Sequence, residues 1–451
     1  MDVLHLPVDL IDRYDRPGPR YTSYPTVPTW SSQVGSAQYA AALRGIGPKE
    51  RLALYVHFPF CAVKCLYCGC NMTVTRRAET IDRYLDALER EVDLQLAHVG
   101  GRPVVAQMHW GGGTPNYLSE AQLWRAFECF NRRFDIAADA ELSVEADPRQ
   151  ASRAQLAMLR AMGFNRISFG VQDVDPEVQE VIGRKQSLAL VRDACDAARD
   201  VGFAGLNVDV MYGLPLQTPA RFIRTLLSVA DLQPDRIACF GYAHVPWMRP
   251  HQRAIDADLL PSATERFALF QLAVNAFEGR GYQWIGLDHF AQRHDALAVS
   301  QRAGTLHRNF MGYTVMPAHH LLAFGMSGIS EVGRTFAQAA ATLHDWHAAI
   351  DAGTLPIVRG LTLSDDDVRR RDAIMQLMCH LELPLASVER DMPGTLERLQ
   401  PLEEDGLVTM DASTLRVTPL GRYFLRNVCM AFDAYLPAAA DRESPRFSRA
   451  I

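Results

Sequence analysis

The stretch YVHFPFCAVKCLYCGCNMTVTR, residues 55–76, concentrates four cysteines within ten positions: Cys61, Cys65, Cys68 and Cys70. It continues an apolar run at residues 52–56, which predicts that the cysteines lie on a loop at the end of a strand. Thiolates are soft ligands, so this loop predicts a metal site. The C-x3-C-x2-C spacing supplies three thiolates, whereas a cubic four-iron cluster is normally held by four. One iron would therefore keep an open coordination position, where chemistry can take place.

Two alternatives remain open for the cysteine loop on spacing alone. A structural zinc site prefers two separated ligand pairs, and this sequence has no second pair. Disulfides are disfavoured because the chain starts without a basic-then-apolar signal region. The other cysteines are scattered singly, and we expect them to be reduced core residues: Cys129, Cys195, Cys239, Cys379 and Cys429.

Length and composition limit the function classes. The chain has 451 residues, of which 48% are hydrophobic and 22% charged, as in an ordinary globular protein with one large and one smaller domain. A formal net charge of -6 argues against a protein that binds nucleic acids without sequence specificity, because such proteins are normally basic. No apolar run has the length needed to cross a bilayer. We expect a soluble, cytoplasmic protein without a nucleic-acid or membrane partner.

The loop resembles a known family. With Tyr67 just before the third cysteine, it is similar to the cluster loop of radical S-adenosylmethionine (radical SAM) enzymes. The additional Gly69-Cys70 resembles the oxygen-independent coproporphyrinogen III oxidases within that superfamily. The resemblance implies a [4Fe-4S] cluster on Cys61, Cys65 and Cys68, and two SAM molecules per subunit. It implies that Tyr55 and Tyr67 flank the SAM positions and that Cys70 marks the subfamily without ligating the cluster.

Residues 52–246 alternate β-branched runs with amphipathic helical patterns, which is typical of βα units with a parallel sheet. Six strands are predicted, at residues 52–58, 104–110, 141–146, 166–171, 206–211 and 236–242. Six units are too few to close an eight-unit barrel, so we predict an α/β fold with a partial (β/α)6 barrel, which the resemblance also implies. The predicted domains are an N-terminal arm (1–48), the barrel (49–250), a barrel extension that forms the substrate-cavity wall (251–360) and a C-terminal domain (361–451).

In such barrels functional residues gather at the carboxyl ends of the strands, and the unusual residues of this chain fall there. The glycines before Thr114 either form a tight turn or let a ligand's polar end approach the backbone. Glu145 would form a salt bridge, cap the next helix as Asp147 also could, or contact SAM. Arg184 could fork onto a carboxylate, and Asp209 could accept hydrogen bonds from ribose hydroxyls. The resemblance assigns to SAM these residues: Tyr55, Tyr67, Gly112, Gly113, Thr114, Glu145, Gln172, Arg184, Asp209, Ala243 and Ile329.

The substrate wall is predicted from two further segments. GPRYTSYPT, residues 18–26, contains Arg20 and Tyr21; its composition indicates an extended surface arm, whereas the resemblance places it near the active site. The glycine-punctuated runs after residue 279 contain Phe310 and Met311, and the resemblance makes them the far wall of the cavity, with Ile329 at the second SAM. We expect hydrogen-bonding or solvated side chains rather than a metal site at the histidines of this region: His289, His307, His319 and His320.

From about Leu361 the pattern is helical, with a capped helix start at Ser364. Residues 402–426 then predict helix, strand, turn, strand and helix, which resembles a winged helix. The acidic chain has no basic stripe there, so we predict a lid or packing module rather than a DNA reader.

The resemblance implies a function for the whole chain. It is the oxygen-independent oxidative decarboxylation of two propionates of coproporphyrinogen III to vinyl groups, giving protoporphyrinogen IX, by a 5′-deoxyadenosyl radical from SAM. It implies a monomer served by a flavodoxin- or ferredoxin-type electron donor. Three residues depart from the expected pattern: Gly241, Met311 and His320. They leave open a diverged radical SAM paralogue with another substrate, or a heme chaperone.

Overall fold

The computed structural model describes residues 8–316, 318–436, 447 and 449. Its main sheet has twelve strands, which in chain order are β1 Arg51–Phe58, β2 Val104–Gly112, β3 Asp135–Ala146, β4 Arg166–Gln172, β5 Gly205–Tyr212, β6 Arg236–Gly241, β7 Tyr282–Gly286, β8 His289–Gln292, β9 His320–Phe324, β10 Ile329–Val332, β11 Thr335–Ala339 and β12 Ile357–Thr362. Their spatial order in the sheet is β12-β11-β10-β9-β1-β2-β3-β4-β5-β6-β8-β7.

The strands β1 to β6 pair in parallel in chain order, which confirms the α/β fold class and the six predicted strands. A seventh strand, β9, joins them in parallel on the other side of β1, and the remaining strands extend the sheet antiparallel at both edges. β1 is buried at six of its eight positions, because helices and the barrel interior cover its two faces. This arrangement leaves the carboxyl ends of the parallel strands at one edge.

The helices cover the sheet and form the terminal parts of the chain. Most begin with a side-chain cap, as in Thr218 before a proline at Pro219–Ala230 and Ser364, whose hydroxyl accepts from the Asp367 N–H. Their bounds are Val8–Tyr14, Ser36–Arg44, Ala78–Leu96, Glu120–Asn131, Arg153–Ala161, Pro176–Val181, Leu188–Asp200, Pro219–Ala230, Ala263–Glu278, Ala296–Arg302, Leu343–Asp351, Asp365–His380, Leu385–Asp391, Thr395–Glu404 and Leu425–Met430. Among the described residues no helix combines the length and apolarity needed to cross a membrane.

The C-terminal part has its own small sheet of three strands, Glu382–Pro384, Thr414–Val417 and Val408–Met410, paired antiparallel in that order. The helix–strand–turn–strand–helix order predicted for residues 402–426 is present. Of the closing segment RFSRAI, Phe447 and Arg449 are described and the other positions lie outside the described residues.

The composition of residues 18–26 predicted a surface arm, and this is wrong. Tyr21 and Tyr24 are 1% and 0% exposed, and they belong to the hydrophobic core of the C-terminal part. The Tyr21 hydroxyl donates to Asp433, 3.0 Å away, and the Tyr24 hydroxyl accepts from the Ala434 N–H. The arm therefore packs into the C-terminal module, because its aromatic rings bury apolar area in that core.

Candidate active site

A cavity of about 400 Å³ opens at the carboxyl ends of the parallel strands. Fourteen of the residues predicted for the site line it: Arg20, Cys61, Cys65, Tyr67, Cys68, Cys70, Gly112, Gly113, Thr114, Glu145, Gln172, Arg184, Asp209 and Ala243. A deeper cavity of about 220 Å³ lies inside the barrel, and Met311 is on its wall. Both cavities are lined by Glu145, Ser168 and Asp209, so they adjoin each other.

The other four predicted residues lie elsewhere. Tyr21 points into the C-terminal core, as described above. Ile329 and Phe310 pack together against Trp30, Phe336 and Leu363, and neither lines the two cavities. Tyr55 lies behind the cavity wall, where its ring stacks on His109 with centroids 6.0 Å apart.

The three proposed cluster ligands share one wall of the cavity. Cys61 lies on the short strand Phe60–Cys61, and its thiol is 3.2 Å from the Thr114 hydroxyl. Arg184 donates to the Cys65 sulfur at 3.6 Å, and the Cys70 N–H donates to the Cys68 sulfur at 3.4 Å. The hydrogen bonds from Cys70 lower the pKa of Cys68 to about 6, whereas burial raises the pKa of Cys61 to about 11. A bound metal would deprotonate each of these thiols.

The glycine turn at the end of β2, residues 112–114, is held to its neighbours by hydrogen bonds and also lines the cavity. The Gly112 N–H donates to the Glu145 carboxylate. The N–H groups of Gly113 and Thr114 donate to the backbone carbonyls of Phe58 and Phe60, respectively. The turn therefore has carbonyl oxygens rather than N–H groups to offer a ligand. Carbonyl oxygens accept hydrogen bonds, which suits an ammonium group.

Glu145 is held as an acceptor by partners that the sequence analysis did not identify. The Gly112 N–H donates to one of its oxygens at 3.2 Å, and His109 Nε2 lies 3.1 Å from the other. Burial alone would raise the pKa of Glu145, but the contacts with His109 and Gly112 outweigh it and the pKa is lowered. Glu145 is not a helix cap, because Ser152 caps the following helix.

Asp147 is not a helix cap either. It is buried between Arg149, 2.6 Å away, and Arg184, 3.6 Å away. Arg184 also donates to the Gly170 carbonyl at 2.5 Å, and its buried Nε has no hydrogen-bond partner in the described part of the chain. A guanidinium with an unused buried donor beside the cysteines fits an anionic ligand group such as a carboxylate. Gln172 reaches the same wall from a backbone position with φ of 69°.

Asp209 ends a small polar network inside the barrel. The Ser168 hydroxyl donates to it at 3.2 Å and the Asn207 amide at 2.8 Å. Burial, reinforced by the charge of Glu145, raises the pKa of Asp209 to about 7. Asp209 is thus ionised above about pH 7 and protonated below it.

Replacing Asp209 by asparagine tests this assignment. A raised folded-state pKa means that stability is lost as pH rises from about 4 to about 7, so Asp209→Asn should stabilise the protein at pH 8 by about 1–2 kcal/mol. The same change should weaken SAM binding at pH 8 by about 10-fold, since an acceptor is lost. Wild-type SAM affinity should fall between pH 8 and pH 6, and that of the variant should not. Calorimetric titration with SAM and thermal unfolding measure both effects.

His57 joins several parts of the site, and the sequence analysis missed it. Its Nε2 donates to the Asn71 carbonyl of the cysteine loop at 2.8 Å, so its Nδ1 accepts from the Tyr55 hydroxyl at 3.1 Å. Its ring fills the space beside Gly112, where a Cβ would lie 2.5 Å from it. His57 therefore joins the cysteine loop, Tyr55 and the glycine turn. Its place directly before Phe58, at the end of the predicted strand, was the available signal.

Of the three residues that depart from the expected pattern, Met311 and Gly241 reach the cavities. Gly241 lines the outer cavity, where a Cβ would lie 2.9 Å from the Tyr212 hydroxyl. His320 lies at the start of β9, opposite Leu52, and is thus at the other end of the barrel. It contacts Glu50 at 3.0 Å and accepts from the Gly333 N–H, which is a structural role.

A parallel α/β barrel with three cysteines on its mouth and an acceptor-rich cavity beside them is the architecture of a radical SAM enzyme. Residues 55–229 match the radical SAM superfamily, and residues 363–424 match the HemN C-terminal domain. The chain is 44% identical to the oxygen-independent coproporphyrinogen III oxidase of Escherichia coli K12, covering 98% of both chains, and 40% identical to that of Pseudomonas aeruginosa, covering 100% of both. A solved structure titled as coproporphyrinogen III oxidase (HemN) from Escherichia coli, a radical SAM enzyme, matches with a TM-score of 0.90 and 42% identity. That match covers 95% of this chain and 99% of the other.

The chain belongs to the oxygen-independent coproporphyrinogen III oxidase family. It is a radical SAM oxidoreductase, and its cofactors are a [4Fe-4S] cluster and SAM.

Proposed function

We propose that the protein converts coproporphyrinogen III to protoporphyrinogen IX without oxygen. In this reaction each of two propionate side chains loses one hydrogen atom, one carbon dioxide and one electron, which leaves a vinyl group. The observation that carries the proposal is the full-length identity of 44% to an oxidase of this name, together with the site residues gathered around one cavity.

The donor set fits the proposed cofactors. Three thiols on one wall provide the soft ligands of a four-iron cluster, and Arg184 and the glycine turn line the same cavity. When bound together, the cluster and SAM supply a carbon radical that removes a hydrogen atom from the substrate. The protein's part is to bind, orient and shield the reacting groups.

We assign each side chain the interaction that its chemistry allows. Cys61, Cys65 and Cys68 hold the cluster. The glycine turn accepts from the amino group of SAM, Arg184 donates to its carboxylate, and Asp209 accepts from its ribose hydroxyls. Glu145, kept ionised by His109, is a further acceptor, and the backbone at Ala243 borders the adenine. Tyr67 covers the cluster side of the cavity, and Tyr55 positions His57.

On the substrate side we assign Arg20 to a propionate. Its guanidinium lines the cavity, lies 5.7 Å above the Phe240 ring and pairs with the buried Asp288 at 2.6 Å. With a side-chain exposure of 42%, it is accessible to a carboxylate from the cavity. Met311 places an apolar thioether on the inner cavity wall, and Cys70 borders the cluster side.

Several coarser assignments complete the proposal. We divide the chain into arm, barrel, cavity wall and C-terminal module at residues 48, 250 and 360. We propose a cytoplasmic monomer with a flavodoxin- or ferredoxin-type electron donor. A second SAM is proposed beside Phe310 and Ile329, which belong to the same apolar cluster as Trp30. We also propose that Tyr21 acts by holding the arm that carries Arg20.

The deciding experiment is turnover under nitrogen. The reconstituted, reduced protein is incubated with coproporphyrinogen III and SAM, and the products are separated after oxidation. We expect protoporphyrin and a transient three-carboxyl intermediate in amounts that follow 5′-deoxyadenosine. SAM cleavage without loss of carboxyl groups would contradict the proposed substrate. Stoichiometric heme binding in an optical titration, without turnover, would indicate a chaperone instead.

A further inference from the structure

A surface turn rests directly on the cysteine loop. Its backbone closes at Val245, whose carbonyl accepts from the N–H groups of Met248 and Arg249. His251 Nε2 donates to the Cys68 carbonyl at 2.8 Å, and the Gln252 amide donates to the Tyr67 carbonyl at 2.9 Å. The turn is thus separated from a cluster ligand by single hydrogen bonds.

This turn exposes large apolar side chains. Trp247 is 51% exposed and Met248 is 61% exposed, and Val63 of the cysteine loop is 46% exposed. Val63 and Val245 line the same cavity, so the loop and the turn meet at its rim. Exposed tryptophan and methionine are enriched at protein interfaces, whereas isolated turns are usually polar.

The same two segments are basic in an acidic chain. Residues 59–78 and 243–255 contain Lys64, Arg76, Arg77, Arg249 and Arg253 and no aspartate or glutamate, whereas the whole chain has a formal net charge of -6. Lys64 and Arg253 are exposed, and Arg249 donates to the Asn71 side chain at 3.4 Å. An apolar centre with cations beside it fits a partner with an acidic rim.

We propose that the surface formed by Val63, Lys64, Trp247, Met248 and Arg253, here called the turn face, docks a small acidic electron-carrier protein. This inference rests on the proposed function, which needs one electron delivered to the cluster from outside. The carrier loses one electron, the cluster gains it, and no atom is exchanged. The hydrogen bonds between the turn and the loop of Cys68 keep the electron-transfer path from the docked carrier to the cluster short. A small charged interface is typical of transient complexes between electron-transfer proteins.

The test compares two double charge reversals. Lys64→Glu with Arg253→Glu alters the turn face, and Lys49→Glu with Arg293→Glu makes the same change in net charge with exposed residues at the opposite edge of the barrel. Each reconstituted protein is mixed anaerobically with a hydroquinone-state acidic flavodoxin, and cluster bleaching is followed by stopped flow. At about 0.05 M salt we expect the turn-face variant to be reduced about 10–100-fold more slowly than wild type, with little change in the control. At about 0.5 M salt the difference should shrink to a few-fold.

The apolar centre is tested with Trp247→Ser and Met248→Ser together. This variant should weaken flavodoxin binding about 10-fold at both salt concentrations, measured by titration. Reduction by dithionite bypasses docking, so iron content, the cluster spectrum and dithionite-driven SAM cleavage should equal those of wild type in both turn-face variants. The inference would be overturned if flavodoxin reduced the cluster at equal rates in the turn-face and control charge reversals. It would also be overturned if dithionite-driven SAM cleavage in a turn-face variant fell by the same factor as reduction by flavodoxin. These readouts contain no porphyrinogen, so a wrong substrate assignment would leave them unchanged.

Discussion

Alanine in place of Cys61 should abolish the four-iron cluster and reduce SAM cleavage by more than about 10³-fold. With Cys61 removed, two of the three cysteines assigned to the cluster, Cys65 and Cys68, remain on the cavity wall, so the cluster would lose one of its three protein ligands. Cys61 also lies on the short strand that pairs with Thr73–Val74, so the loop should keep its fold. Iron and sulfide analysis after anaerobic reconstitution, with the optical and electron paramagnetic resonance spectra, measures the effect.

Cys70→Ala provides the matched control for this prediction. Cys70 is exposed, and alanine retains the backbone N–H that donates to the Cys68 sulfur, although it removes the hydrogen bond between the Cys70 thiol and that sulfur. The Cys70→Ala protein should therefore keep a full iron content and measurable SAM cleavage. A four-iron spectrum in Cys61→Ala, or its loss in Cys70→Ala with retention in Cys61→Ala, would show that the ligand set is assigned wrongly.

The six parallel strands could be predicted because each is a short apolar run bounded by helical patterns. Their ends could not be predicted equally well. β3 begins at Asp135, six residues before the prediction, since its first six residues are two aspartates, three alanines and a single isoleucine and together carry little strand signal. Asp135 still pairs with Val104 of β2, so tertiary pairing extends the strand where local propensity does not.

The cavity residues at strand ends were accessible from the sequence, but the inner polar network was not recognised. Polar residues alternate along the inward faces of the strands: Gln107 and His109 on β2, Glu141, Ser143 and Glu145 on β3, and Asn207 and Asp209 on β5. This period of two is a sequence signal for one polar face. This pattern would have identified His109 as the partner of Glu145. The stacking of the Tyr55 ring on His109 could not be predicted in this way, because it depends on the strand register that places the two residues opposite each other.

The N-terminal arm shows the opposite case, in which no local signal exists. Tyr21 and Tyr24 are buried through contacts with Asp433 and Ala434, about 400 positions away along the chain. Composition could indicate only an extended segment. The same holds for Phe310 and Ile329, whose packing against Trp30 depends on how the arm crosses the sheet edge.

Gly113→Ala should be strongly damaging, although it adds only a single methyl group to the active site. A Cβ at this position would lie 2.8 Å from three backbone atoms, the Phe58 oxygen and the nitrogen and oxygen of Phe60. Backbone atoms cannot rotate away as a side chain can, so the turn or the Phe60–Cys61 strand must shift. We expect a loss of about 2–3 kcal/mol in the free energy of unfolding, which is at the upper end for overpacking, and at least about 100-fold weaker SAM binding.

Gly69→Ala is the control, because it adds the same methyl group to the cysteine loop where nothing lies within 4 Å. It should change the melting temperature and SAM affinity only slightly. The shift at Gly113 also breaks two hydrogen bonds that join the glycine turn to the loop, Gly113 N–H to Phe58 at 2.8 Å and Thr114 N–H to Phe60 at 2.9 Å. Cluster retention and SAM binding should therefore fail together in Gly113→Ala, since the turn that we propose accepts from SAM and the strand that carries Cys61 form one unit. Normal cluster content with weakened SAM binding would instead separate the two, and would place the rigidity of the site in the turn alone.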